Sequence, residues 1–430
     1  MGIRTSFFWQ LAGAVLASCL ECHGQTLATP AGLMWQEGEL AIHFVNTGRG
    51  NASLLIFPDG TTLLVDAGDM DAAESAKALA PLRLSPALPD SSQRPGQWIA
   101  AYIRQVMPAG WQPALDYALI THYHGDHYGH VGRRSPLSAT GAYRLTGLTD
   151  VAESLPISTL FDRGYTYPMD MDAYYRTDST FTNYRAFIRY WVGKGQLTAT
   201  ALQAGRTDQI TLRHAAGRYP TFSVRAIKSN AEVWTGAGTA TTPCFTAAQL
   251  FDGDKKFNEN PLSNAIKVTY GPFSYYAGGD NTGYEGSAYP GRRDVETPMA
   301  KAIGRVDALT LNHHGNRDAT NDTFLKALAP KVVVDQSWCS DQPGQDLAFR
   351  LLQPQPTGDS TAVFNLFMQP ETQAYLGFWV AKGFKSLEGH VVIRVFEQGR
   401  KYLVYVLDDR TPTLKIKQTF GPYLAGPPTR

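Results

Sequence analysis

Residues 119–130 read Leu-Ile-Thr-His-Tyr-His-Gly-Asp-His-Tyr-Gly-His, which places His122, His124, Asp126 and His127 at the spacing of metal ligands. Alternate residues of an extended chain point to one side, so His122 and His124 can grip one cation. Asp126 and His127, past the glycine turn, face a second position. Imidazole nitrogen combined with carboxylate oxygen suits Zn2+ first, with Fe or Mn as alternatives. The competing reading is a polar surface loop that happens to be rich in histidine. Three of the chain's ten histidines within six residues, directly behind the apolar run 117–120, weigh against it.

Other ligand-type residues also follow apolar runs. Asp66-Ala67-Gly68-Asp69 follows a strand expected over 62–65, Asp280 closes Gly278-Gly279-Asp280 after a strand over 273–276, and Asn312-His313-His314-Gly315 ends a strand over 306–311. His-x-His-x-Asp-His behind an apolar strand resembles the signature of the metallo-β-lactamase superfamily, and the further matches recur in the family's order over most of residues 40–409. The resemblance implies an α/β fold, the four-layer αβ/βα sandwich, with one or two metals at the rim between two sheets. It implies that Asp280 bridges two ions and so offsets their repulsion. One of His313 and His314 then completes the second site, and its neighbour serves as proton donor or substrate contact. Asp66 matches the aspartate that orients ligands from beneath, while Asp69 reads as a helix cap.

The implied centre is binuclear: His122 and His124 on one ion, Asp126, His127 and His313 or His314 on the other, Asp280 between them, with Asp66, Asp126 and His314 as the catalytic set. Its chemistry is hydrolysis. The Gly48-Arg49-Gly50-Asn51 turn, Asn264 and the His-His-Gly run are similar to the metallo-hydrolase domain of bacterial DNA-uptake channel proteins. Teichoic-acid phosphorylcholine esterases are the other near pattern. Phosphodiesters therefore lead as substrates, with carboxylic esters, lactones and lactams as alternatives. A di-iron redox centre lacks its flavin domain, and a binding protein with a decayed metal site is the alternative of another class. Where the DNA-uptake relatives often carry one more histidine, Gln336-Ser337-Trp338-Cys339 stands instead, which leaves the outer coordination open. His130 reads as a helix-face residue, His214 as an exposed turn histidine and His390 as structural at a strand's entry, each with ligation as the alternative.

The positioning elements begin with a meander of strands over 40–44, 52–57 and 62–65, then helices over 72–82 and 98–106. Residues 135–209 form an aromatic-rich insertion within the domain 38–409. Tyr184, Phe187, Ile188 and Trp191 recur there at helical spacing, either as a lid over the metal cleft or as packing onto the sandwich. Asp162 and Arg163, from a Gly-flanked turn, are expected nearer the site than that stripe, without a catalytic role. Hairpins are expected over 210–213 with 221–227, over 264–270 with 273–276, and over 391–396 with 402–407. Residues 410–430 show no pattern and read as a surface strap.

Residues 1–24 read as a signal peptide, with Arg4 ahead of an apolar stretch. Cleavage after Gly24 gives a periplasmic or secreted protein, whereas Leu16-Ala17-Ser18-Cys19 resembles a lipoprotein box that anchors the chain to a membrane through Cys19. In an exported protein Cys244 and Cys339 form a disulfide or stay as two buried thiols. The net charge of +1 gives no electrostatic footprint for nucleic acid, so the expected partner is a small-molecule or polymer ester.

Overall fold

The computed structural model describes residues 31–426 apart from 72–74, 76, 78, 109, 134, 253–255, 287, 290, 355–359 and 378. The expected signal segment and residues 72–74, 76 and 78 of the helix expected over 72–82 lie outside the described residues.

Strands β1 (Leu40–Phe44), β2 (Ala52–Ile56), β3 (Thr62–Ala67), β4 (Leu115–Leu119), β5 (Ile157–Asp162) and β6 (Thr198–Ala201) belong to a first sheet. The chain then builds a second sheet from β7 (Phe222–Ser229), β8 (Glu232–Trp234) and β9 (Thr241–Pro243). After a two-stranded ribbon of β10 (Phe251–Asp252) and β11 (Lys256–Phe257), that sheet continues with β12 (Ala265–Tyr270), β13 (Phe273–Ala277), β14 (Ala308–Thr310), β15 (Val332–Asp335), β16 (Ala362–Asn365) and β17 (Phe384–Ser386). Finally β18 (His390–Phe396), β19 (Lys401–Leu407) and β20 (Ile416–Leu424) return to the first sheet. Each sheet has nine strands, ordered β20-β19-β18-β1-β2-β3-β4-β5-β6 and β17-β16-β15-β14-β13-β12-β7-β8-β9. In the first, pairing is antiparallel up to β3 and parallel from β3 to β6. In the second it is parallel from β17 to β13 and antiparallel beyond.

The pleat sorts side chains into layers. Leu40, Ile42 and Phe44 of β1 and Tyr117 and Leu119 of β4 face inward, where they meet Val268, Tyr275, Val334 and Phe364 of the opposite sheet. Ala41 and Ala118 turn outward to the helix Pro95–Val106, whose Ile99, Ala100, Ile103 and Val106 form one apolar stripe. Outside the second sheet lie the helices Glu296–Ile303 and Asp322–Leu328, with Met299, Ile303, Phe324 and Leu328 packed on Leu309 and Val333. The Asn321 side chain caps the latter helix by accepting from Phe324 N at 2.8 Å. Helices, sheet, sheet, helices make the αβ/βα sandwich.

Some sequence alternatives are decided and some expectations change. Within residues 135–209, β5 and β6 extend the first sheet in parallel with β4. Phe181, Tyr184, Phe187 and Ile188 of the helix Ser179–Gly193 are buried in the outer helical layer, so this face of the stripe packs the segment onto the sandwich. The hairpin expected over 210–213 and 221–227 does not form: β7 pairs with β12 and β8, and 210–213 carries no strand. The expected strap includes β20, an edge strand paired with β19. Cys244 and Cys339 are both free thiols. Among the described residues no helix is long and apolar enough to cross a membrane.

Candidate metal centre

The ligand-type residues converge where parallel strands of both sheets end. Asp66 is the penultimate residue of β3, the His-x-His-x-Asp-His run leaves β4, Asp280 follows β13, and His313-His314 follows β14. Asp66 has φ +60°, a left-handed conformation that a non-glycine residue seldom adopts. Its carboxylate accepts from Thr121 N at 2.8 Å and Thr121 Oγ1 at 2.9 Å, and lies 2.8 Å from His127 Nδ1. The end of β3 thus clamps the exit of β4 and turns the far nitrogen of His127 towards the cleft. Two glycines let the backbone of Asp126 nest between the loops. A Cβ at Gly50 would stand 2.2 Å from Asp126 O, and one at Gly68 only 2.0 Å from it. Asn51 N donates to the same oxygen at 2.8 Å.

Two groups of donors result: Asp126, His127, Asp280 and His314 in one, His122, His124 and Asp280 in the other, with the ligand atoms of each group within 4.8 Å of one another. His122 Nε2 lies 3.0 Å from His124 Nδ1 and 3.6 Å from Asp280 Oδ2. In the other group His314 Nε2 lies 3.0 Å from Asp126 Oδ2 and 3.4 Å from Asp280 Oδ2. Asp280 is common to both. Its backbone N–H is held by Ser263 Oγ at 3.1 Å.

The two adjacent histidines part company because both are left-handed, at φ +47° for His313 and +52° for His314. His314 joins the cluster, with its Nδ1 at 3.0 Å from Asn51 Oδ1 and 3.2 Å from Gln336 O. His313 belongs to neither group: its Nδ1 meets Asp318 Oδ1 at 2.5 Å, while its Nε2 lies 3.1 Å from Asn260 Nδ2 and 3.9 Å from Asp280 Oδ2. Arg292 pairs with the other oxygen of Asp318. Glu296 holds the turn from beneath, accepting from Asn312 Nδ2 at 2.7 Å, Thr320 N at 2.6 Å and Asn321 N at 2.7 Å.

Burial opposes charge on His127 and His314, but Asp280 and Asp126 outweigh it and raise both pKa values, His314 to about 10. Burial pushes His122 and His124 down, which favours their neutral imidazoles. Burial also opposes ionisation of Asp280, yet the neighbouring imidazoles, His127 foremost, hold it well below the usual carboxylate range. A site that binds protons on two imidazoles through buried carboxylates is one from which a divalent cation displaces them.

His130, His214 and His390 stand outside both groups. His214 is half-exposed, 3.3 Å from Asp116 Oδ2 and edge-on to Trp111. His390 is buried and accepts from Asn46 N at 2.9 Å. The backbone N–H of His130 bonds Asp69 O at 2.8 Å, and Asp69's carboxylate accepts from Thr146 Oγ1 at 3.0 Å instead of capping a helix. Asp162 is tied up by the hydroxyls of Tyr165 and Tyr184. Arg163 pairs with Glu259 in two contacts of 2.5 and 2.8 Å and lies over the Tyr123 ring at 4.4 Å. Glu259 also accepts from Tyr123 N at 3.1 Å, which fixes the backbone between His122 and His124. Sequence reasoning missed Glu259 and Glu296 because each acts across a long chain separation, and Asp318, five residues after His313, because no motif marks it. Only Asn51 carried a signal, the Gly-x-Gly-Asn turn.

The residues fit a divalent cation. His127 Nε2 and Asp280 Oδ1 are buried and 3.1 Å apart, yet neither has a hydrogen-bond partner. Facing donor atoms this close, in poor hydrogen-bond alignment, suit a shared cation in place of the imidazole proton. The αβ/βα sandwich with these donors at converging strand ends is the metallo-β-lactamase fold. No family model and no curated protein matches the chain. Solved structures are similar to it. One is a mutant of the CmlA beta-hydroxylase, at 14% identity and TM-score 0.37, covering 78% of this chain and 54% of that one. Another is zinc-bound PqqB from Methylobacterium extorquens, at 10% identity and TM-score 0.35, covering 82% and 99%. A third is AbOPH, a hydrolase in the beta lactamase superfamily, at 14% identity and TM-score 0.25, covering 54% and 55%. The chain thus spans about half the length of the first and third.

Proposed function

We propose that this chain is a metal-dependent hydrolase of the metallo-β-lactamase superfamily. In this reading His122, His124 and Asp280 hold one divalent cation, and Asp126, His127, His314 and Asp280 hold a second. The convergence of two donor groups on a shared, buried Asp280 is the observation that carries it. Zinc is the ion these donors suit best. When bound, such a pair supplies Lewis acidity to a scissile group and lowers the pKa of water from about 15.7 towards neutrality.

The chain's own residues do the rest. Asp66 accepts the Nδ1 proton of His127 and so leaves Nε2 as a lone pair. The Asn51 side chain and Gln336 O perform the same service at His314 Nδ1. His313, steadied by Asp318, presents Nε2 beside Asp280 without joining either donor group, and is placed to hand a proton to a leaving group. Burial opposes its charge, but Asp318 and Asp280 prevail and raise its pKa.

The His-His-Gly run and the Gly-x-Gly-Asn turn favour a phosphodiester substrate, by their likeness to the DNA-uptake metallo-hydrolase domains and the phosphorylcholine esterases. Arg4 and the apolar stretch behind it support export, with Cys19 or Gly24 marking the end of the signal. Metal content and turnover of bis-p-nitrophenyl phosphate, for wild type against Asp126→Ala and Asp280→Ala, test the reading. Close to two zinc ions per chain and turnover abolished by either change are expected. Bound metal without turnover moves the substrate to carboxylic esters, lactones or lactams; a protein that binds no metal sinks the hydrolase.

A further inference from the structure

Beside the metal centre, residues 80–86 fold over the 46–51 turn and leave an open cavity of about 480 Å3 lined by Arg49, Arg83, Leu84 and Ser85. Arg49 is only 9% exposed, and it makes no ion pair among the described residues. Its Nη1 donates to Gly48 O at 2.8 Å and to Ser85 O. Among the described residues its Nε and Nη2 make no hydrogen bond, and Arg49 lines the cavity. A guanidinium does not lose its charge in a protein, and burying it without a counter-charge costs several kcal/mol.

Two carboxylates, those of Asp69 and Asp71, lie near enough to act on Arg49 electrostatically. Asp69 is already engaged by Thr146 Oγ1 and Gly147 N, and burial lifts its carboxyl to about 6. Arg83 sits at the rim in an exposed pair with Glu371 at 3.1 Å, of the kind that exchanges partners at little cost. Parallel N–H groups on a planar fork match the oxygens of a phosphoryl or carboxylate group.

We propose that this cavity is an oxyanion site in which Arg49 binds a phosphoryl or carboxylate group through Nε and Nη2, with Arg83 closing from the rim. The site stands on Arg49 and the cavity, and does not rest on the hydrolase reading. It does adjoin the metal centre from two sides. Asn51, two residues on, bonds His314, while Ser85 N bonds Trp338 O and the indole of Trp338 reaches His314 Nε2 at 3.5 Å. An anionic group in the cavity would therefore sit at the edge of the cleft.

Titration calorimetry of the full chain with inorganic phosphate, and separately with acetate, tests the site in wild type, Arg49→Gln, Arg83→Gln and Asp280→Ala. Arg49→Gln is expected to weaken phosphate about 10- to 100-fold, as loss of charge-assisted hydrogen bonds does. Arg83→Gln should weaken it several-fold, and Asp280→Ala should leave it in place. Parallel loss of acetate supports a general oxyanion site; loss of phosphate alone supports a phosphoryl site. Wild-type phosphate affinity in Arg49→Gln overturns the proposal, as it does in Arg83→Gln should the first variant not fold. Loss of phosphate binding in Asp280→Ala assigns the anion to the metal centre and overturns it equally.

Discussion

Asp66 reaches the chemistry only through another residue. It is buried, held in a left-handed conformation, and binds both Thr121 and His127. Asp66→Asn keeps the shape but puts a donor or a neutral acceptor where His127 Nδ1 needs a carboxylate. Zinc affinity should fall about 10- to 100-fold, the usual result of losing such a partner; competition with a chromogenic chelator reads it, and unchanged affinity would deny Asp66 its role. His313 makes the opposite expectation. His313→Gln should lower kcat by about 10²- to 10⁴-fold while metal content stays at the wild-type level. Asp318→Asn should follow the same pattern more weakly. A fall in bound metal in either would make His313 a ligand. The sequence could place this pair at the centre but not divide the labour, because neighbours on a chain differ only by the turn that aims them. Here the turn is left-handed at both residues and held by Glu296, sixteen residues before Asn312.

Elements were legible in proportion to how fully they are buried. β1, β2, β4, β13 and β15 are covered on both faces and read as short apolar runs, because no side of them meets water. β20 was missed for the converse reason: its residues are mostly exposed, and it is held by pairing with β19, which leaves little trace in composition. Residues 210–213 misled because Ile210 and Leu212 alternate with polar neighbours, yet they only lay a loop against the inner core. Loops at the site obey a stricter rule than periodicity, since Gly50 and Gly68 are required by the backbone of Asp126. Gly50→Ala and Gly68→Ala each force a Cβ within 2.2 Å of Asp126 O. Each should cost about 1–3 kcal/mol and reduce bound metal, since relief comes by moving Asp126. Gly217→Ala, where a Cβ meets nothing within 4 Å, is the control. Melting temperature and metal content read both effects. A Gly68→Ala protein with wild-type values for both would mean that the loops are not packed as described.

Across the whole molecule the two sheets share the centre, Asp66 and the β4 turn coming from one, Asp280 and His314 from the other, so the sandwich must stay closed for the donors to meet. A second histidine cluster is expected to weaken the fold in acid. On the outer face of the first sheet, His43 of β1 and His390 of β18 flank Tyr102, with His43 Nδ1 3.0 Å from the Tyr102 hydroxyl and the His390 ring centroid 4.9 Å from that of Tyr102. Burial foremost lowers each to about 3, and for His43 the repulsion of His390 adds to it. Both rings must therefore be neutral in the fold, whereas an unfolded histidine titrates near 6.5. Between about pH 3 and 6.5 the unfolded chain binds protons that the folded chain refuses, so stability rises with pH across that window. The contribution is complete above the unfolded value and is lost as pH falls. Each histidine adds at most about 1.4 kcal/mol per pH unit to the slope. His43→Gln keeps a partner for Tyr102 but cannot protonate, so the slope of unfolding free energy between about pH 4 and 6 should drop by close to one histidine's share. Urea midpoints at three pH values in that range measure it. Carboxylates near the metal contribute equally to both proteins and cancel in the difference. Parallel slopes for wild type and variant would mean that His43 is protonated inside the folded chain and that this cluster does not set its acid limit.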